Sequence, residues 1–225
     1  PEVTIIPDLV TSGLDTVGVR LPHQSLTQKL LTSLEFPLVA PSANPFGYVS
    51  PTTAQHVNDQ LGDKIAYILD GGECSIGIES TIIGFNNSTS TPIIHRLGGL
   101  SVEQIESVVG TVQIQTYSTS NPNAPGMLAS HYSPTKKLIL GNIDTLQQEY
   151  PDANLAFLSF EKSYNQLPGK VLAPDGQLET AAKNLFAYLR WLDTQDIDII
   201  IAESVPNTGL GRAINDRLMR AAAQS

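Results

Sequence analysis

The sequence predicts an α/β protein built in two parts. Three observations carry this: strand-sized apolar runs alternate with helix-sized amphipathic segments, Pro and Gly punctuate most of the changes, and one central stretch has no periodicity. The expected parts are a first sheet domain at 1–112, a linker at 113–135 and a small Rossmann-like α/β domain at 136–225.

In the first part, Val3 to Ile6 and Thr16 to Arg20 have the composition of strands bounded by Pro or Gly. Leu26, Leu30, Leu31 and Leu34 recur at helical spacing between Gln24 and Leu34, giving a helix whose apolar face should pack on a sheet. Pro37 to Pro41 reads as a short buried strand, ended by the turn formers of Ser42-Ala43-Asn44-Pro45-Phe46-Gly47. Ser50-Pro51 predicts an N-cap and first helical residue for a helix through Leu61 that Gly62 stops. Ile65 to Leu69 and Ile78 to Phe85 read as strands around the Gly71-Gly72 turn. Ser101-Val102-Glu103-Gln104 is a capping box, and Gly110 ends its helix.

Tyr117 to Gly126 is rich in Ser, Asn, Pro and Gly, the composition of a linker. Order resumes with a strand at Leu138 to Leu140, a helix near Ile143 to Tyr150, a strand at Leu155 to Phe160 and a short one at Val171-Leu172. A helix from Leu178 to Leu192 follows, with Ala182, Leu185, Leu189 and Leu192 on one face. The strand Ile197 to Glu203 then runs through Pro206 to Gly211 into a last helix.

Composition excludes several classes of function. Lys+Arg 13 against Asp+Glu 22 gives a net charge of -9, and the longest basic run is Lys136-Lys137, which speaks against a polynucleotide groove. A nucleotide needs only two or three local cations or a helix N-terminus and is not excluded. A single cysteine, Cys74, rules out an intramolecular disulfide and a Cys-rich zinc site. The apolar runs are strand-sized, far below the ~20 residues of a membrane helix. Pro1-Glu2-Val3 lacks the basic start of a signal peptide, so the cytoplasm is the expected location.

The candidate chemistry is modest when read residue by residue. His23, His56, His95 and His131 are scattered, without a metal-ligand spacing. Cys74 has no nearby base, and Gly77 to Thr81 is no serine-hydrolase elbow. Pro41-Ser42-Ala43-Asn44 and Glu79-Ser80-Thr81 offer hydroxyls and backbone N–H groups at strand ends, which suit an anion, although each alone is more often a turn. Thr16, Arg20 and Arg96 add a hydroxyl and two cations. Thr208-Gly209-Leu210-Gly211 could cradle phosphate at a helix N-terminus, but a lone G-x-G is usually a tight turn.

Taken in order, these pieces form a specific set. Pro41 to Asn44 with Ser50-Pro51-Thr52, Leu69 to Gly72, Gly77 to Thr81 and Arg96-Leu97-Gly98-Gly99 resemble the threonylcarbamoyl-AMP synthase family. Ala124 to Met127 with His131-Tyr132-Ser133-Pro134, and Gly209 to Leu218, are similar to its longer, two-domain members.

The resemblance implies a partial YrdC-like twisted sheet as the first domain. It also implies synthesis of threonylcarbamoyl-adenylate and pyrophosphate from L-threonine, bicarbonate and ATP with Mg2+. The product would pass to a tRNA threonylcarbamoyl transferase partner, with little direct tRNA binding and no membrane. By motif position, Thr16, Ser42, Ala43, Asn44, Ser50, Arg96 and Tyr132 fall on the ATP side, and Arg20 and Ser80 on the threonine side. Tyr132 would belong to a linker that closes over the site. No residue is assigned as acid, base or metal ligand. Family members carry a Lys-x-Arg segment and a strand upstream of the equivalent of Pro1, so an N-terminally truncated, inactive chain is the expectation. Two rival readings are a non-catalytic nucleotide-binding regulatory module and a carbamoyl-adenylating domain of the hydrogenase-maturation type.

Overall fold

The computed structural model describes residues 6–11, 13–14, 16–86, 88–116 and 132–223. Most of the expected linker, 117–131, lies outside them, as do Val3 to Ile5.

The chain begins with the short helix α1 (Asp8–Thr11), then α2 (Ser25–Thr32), whose first turn is capped by Gln24 through a 2.6 Å bond from the Thr27 N–H. None of the α2 side chains is buried, so the expected packing of its leucine face on a sheet is absent among the described residues. Helix α3 (Ala54–Leu61) starts later than Ser50-Pro51 suggests, because Thr53 is the residue whose side chain accepts the His56 N–H. Gly62 caps its end as expected.

The expected strands at 16–20, 37–41 and 65–69 do not form. A strand needs a neighbour to take its N–H and C=O groups, and these segments pair with nothing among the described residues. They leave Val19, Val39 and Tyr67 exposed. Of the run from Ile78, only β1 (Ile82–Phe85) is strand; it pairs antiparallel with β2 (Pro92–Arg96), which the sequence reading did not pick out. Helix α4 (Val102–Val109) carries the full capping box: Gln104 N–H donates to Ser101 Oγ, and Ser101 N–H to Gln104 Oε1. Its Val102 and Ile105 pack on Ile94 of β2. Next, β3 (Gln113–Ile114) pairs parallel with β2, so sheet structure continues past residue 112.

The second half is a four-stranded parallel sheet. Its elements are β4 (Lys137–Leu140), α5 (Ile143–Glu149), β5 (Leu155–Ser159), β6 (Gly169–Val171), α6 (Leu178–Asp193), β7 (Ile199–Ala202) and α7 (Gly211–Ala222). The strand order is β4-β7-β5-β6. Every residue of β5 and β7 is buried, as a sheet covered on both faces requires. Ala156, Leu158, Ile200 and Ala202 pack toward the cluster with α6 and α7, while Leu155, Phe157, Ile199 and Ile201 pack toward that of Ile143 on α5. This alternation is the period of two expected of a strand.

Candidate functional site

Several of the sequence-selected residues meet where the β1–β2 hairpin faces α7. Arg96 closes β2, opposite Ile82 at the start of β1. From there its Nε and Nη2 donate to the Ser80 carbonyl at 3.1 and 3.0 Å, and Nη2 also reaches Ser80 Oγ at 3.3 Å. The backbones come this close because residue 98 is glycine: a Cβ there would sit 2.4 Å from both Glu79 O and the Ser80 carbonyl carbon. The Gly99 N–H donates to Glu79 O, and Thr81 Oγ1 donates to Leu100 O.

Glu79 is the hub of this region. Its Oε1 accepts from Ser50 Oγ at 2.6 Å, and its Oε2 accepts from Arg217 Nε and Nη2 at 3.1 and 3.0 Å. Burial pushes the carboxyl up, but Arg217, the Ser50 hydroxyl and Arg96 outweigh it and hold Glu79 below the usual carboxylate range. The Arg217 side chain is 0% exposed, and its Nη1 continues to Asp216, which in turn holds Arg220. Arg220 Nη2 donates to Thr116 O. Two arginines and two carboxylates thus balance their charge within a buried chain, the condition under which buried ions are tolerated.

Tyr132 lies against the same group. Its ring stacks on Phe186 of α6 at 5.6 Å, the Arg217 guanidinium lies 5.0 Å from the ring centroid, and its hydroxyl shares a hydrogen bond with Arg96. Burial raises the phenol pKa, with the Glu79 charge adding to it. The residue has φ 63°, a left-handed conformation that costs a non-glycine residue about 1 to 2 kcal/mol, so packing on both sides must hold it there.

Asn44 is nearby in sequence but makes a different structure. Its Nδ2 donates to Pro45 O at 2.9 Å and Tyr48 O at 3.1 Å, fastening the loop, while Oδ1 is buried with no donor among the described residues. A groove of about 500 Å³ runs beside this loop, lined in part by Pro45, Phe46, Ser133 and Pro134.

Ser50, Ser80, Arg96 and Tyr132 are therefore brought together. Thr16, Arg20, Ser42 and Ala43 are exposed and make no side-chain bond to that cluster among the described residues. Sequence reasoning missed Glu79 as the hub and Arg220, and it quoted Asp216 and Arg217 only within the tail Gly209 to Leu218, without a role. The available signal was the charges at 216, 217 and 220 beside Ala213, Ile214, Leu218 and Ala221 in the last helix. Two further candidates weaken: the Cys74 thiol, though exposed, is raised by desolvation from its neighbours, and within the turn the Thr208 N–H donates to Pro206 O and the Gly211 N–H to Thr208 O.

The comparisons with known proteins agree with this geometry along the chain. The profile described as "Telomere recombination" matches residues 1–98, and that described as "Threonylcarbamoyl-AMP synthase, C-terminal domain" matches 100–223. A threonylcarbamoyl-AMP synthase of Pyrococcus abyssi is 36% identical, covering 98% of this chain and 68% of its own. The chain belongs to the threonylcarbamoyl-AMP synthase family. The family member of Bacillus subtilis is 39% identical, covering 95% of this chain and 65% of its own length. That of Schizosaccharomyces pombe is 34% identical, covering 97% and 60%. A structure of P. abyssi Sua5 complexed with L-threonine superposes with a TM-score of 0.86 at 36% identity, covering 97% of this chain and 67% of that one. The chain thus spans about two thirds of the length of the threonylcarbamoyl-AMP synthases it matches. No helix among the described residues is long and apolar enough to cross a membrane.

Proposed function

We propose that this protein makes threonylcarbamoyl-adenylate and pyrophosphate from L-threonine, bicarbonate and ATP, in the cytoplasm, for a transferase that modifies tRNA. The observation that carries the reading is the likeness, over 97% of the chain, to a relative solved with L-threonine.

On this reading Thr16, Ser42, Ala43, Asn44, Ser50, Arg96 and Tyr132 lie on the ATP side, and Arg20 and Ser80 on the threonine side. Arg20 has no hydrogen bond among the described residues, and its planar fork suits the threonine carboxylate. The orphaned Asn44 Oδ1 suits a ligand donor. Mg2+ would enter with the nucleotide, as part of the MgATP substrate. The reaction needs mainly positioning and charge neutralisation, and no acid or base is assigned among these residues. On this reading the first domain extends at least through β3 (Gln113–Ile114), past the boundary at 112 read from the sequence, and the C-terminal domain begins near β4.

The test is release of pyrophosphate from MgATP with labelled bicarbonate. The label should enter a nucleotide product only when threonine is present. Because the chain alone is expected to be inactive, ATP binding with no threonine-dependent turnover overturns the reading, in favour of a nucleotide-sensing module, when it is seen in the full-length protein.

A further inference from the structure

We infer that Arg217, on the last helix of the C-terminal half, is a positioning residue for the ligand site carried by the first half. The inference rests on the proposed function for the identity of the ligands, but not for the contacts. One guanidinium fixes two groups of the site at once. Through Nε and Nη2 it holds Glu79 Oε2, leaving Oε1 to accept the Ser50 hydroxyl at 2.6 Å. Through its face it supports the Tyr132 ring, 5.0 Å away, in a backbone conformation that tyrosine rarely adopts.

Glu79 is bonded to Ser80 in sequence, and Ser80 holds Arg96 through its carbonyl and hydroxyl. Ser50, Ser80, Arg96 and Tyr132 therefore share a support that lies 138 residues from Glu79 in sequence. Arg217 is itself aimed by Asp216, which also binds Arg220. Arg217 is wholly buried and bonded to Glu79 and Asp216, which assigns it a role through those groups rather than a direct ligand contact. Its effect passes through Glu79 and Tyr132 to groups that do.

Arg217→Gln and Arg217→Lys in the full protein separate this role from simple stability, with Ile143→Ala as a destabilised control, since Ile143 is buried in the cluster on the α5 side of the sheet, apart from that of Tyr132. At a temperature where circular dichroism shows all of them folded, Arg217→Gln should raise the KM for threonine about tenfold or more with a much smaller change in kcat. Lys, which keeps the charge but not the fork, should recover part of the loss. The control should leave KM unchanged.

Hydrogen exchange gives a readout independent of turnover. In Arg217→Gln the Gly99 and Leu100 amides, which donate to Glu79 O and Thr81 Oγ1, should lose protection while those of β5 and β7 keep it. An unchanged KM with protected Gly99 and Leu100 overturns the inference, as does an equal KM rise in the Ile143→Ala control. If the wild-type protein shows no threonine-dependent turnover, the functional reading fails and the exchange pattern alone decides the role of Arg217.

Discussion

Asn44 divides its amide between two tasks: its nitrogen builds the loop, and its oxygen is left buried without a donor. A ligand donor reaching that oxygen would relieve an orphaned acceptor. Asn44→Ala or Ser42→Ala should therefore lower threonine-dependent pyrophosphate release, by about 1.5 to 3 kcal/mol for each hydrogen bond lost to a charged ligand. The check is a titration of ATP and a turnover assay on each variant, and wild-type values in both would remove these residues from the site. Titratable groups give a second expectation. Glu79 is held below its ordinary value, so its stabilisation is complete above the unfolded value of about 4.3 and is lost as pH falls through the lower folded one. Burial also depresses His56 and His95, so the folded state resists their protonation and stability begins to fall once pH drops below about 6.5. Urea midpoints across pH should show both declines, and Glu79→Gln should remove the lower one. A midpoint unchanged from neutral pH down to the carboxylate range would contradict this account.

Helix α4 shows what an element needs in order to be legible. Ser101 and Gln104 satisfy one another's N–H groups locally, and Val102 and Ile105 need only one apolar surface. Ser101→Ala should lower the unfolding free energy by about 1 kcal/mol, read from denaturant unfolding with the slope unchanged. The strands β5 and β7 were legible for a related reason, since continuous apolar runs of strand length flanked by turn residues fit strands covered on both faces. The extended segments 16–20, 37–41 and 65–69 share that composition but lack a described pairing partner, and composition cannot supply one. The strand β2 went unread because Pro92 opens it and His95-Arg96 close it, which hides a short apolar centre. At the site, Ser42, Asn44, Ser80 and Arg96 stood out through short motifs. Arg217 lay within the tail motif but its role was not legible, because its partner Glu79 is 138 residues away and no local pattern records such a pair.

At the scale of the whole molecule, the two halves are joined by polar contacts buried as deeply as a core. Arg190 of α6 is 7% exposed and donates to Val49 O, Ser50 O and Gln60 Oε1, with its guanidinium 5.0 Å from the Tyr48 ring centroid. Tyr48 in turn donates to Asp193, and burial with that bond pushes its phenol up to about 12. Arg212 meets Glu103 of α4, although that pair is half exposed and contributes at most about 1 kcal/mol. With this many buried donors crossing the junction, the described halves should unfold as one unit. Arg190→Met tests the coupling, because methionine keeps much of the apolar stem but leaves the Val49 and Ser50 carbonyls without their donor. Each buried group orphaned in this way costs roughly 1 to 3 kcal/mol, and the loss falls on the junction while the β4-β7-β5-β6 sheet keeps its own core. The one tryptophan, Trp191, sits beside Arg190 on α6 and reports the C-terminal half, while hydrogen exchange at the β1–β2 hairpin reports the other. In the wild-type protein both probes should give the same denaturant midpoint. In Arg190→Met the hairpin should open at lower denaturant than the Trp191 transition. Coincident midpoints in the variant would mean that the Arg217 chain and the Tyr132 packing hold the halves together without Arg190. Separate midpoints already in the wild type would show that the junction does not couple them at all.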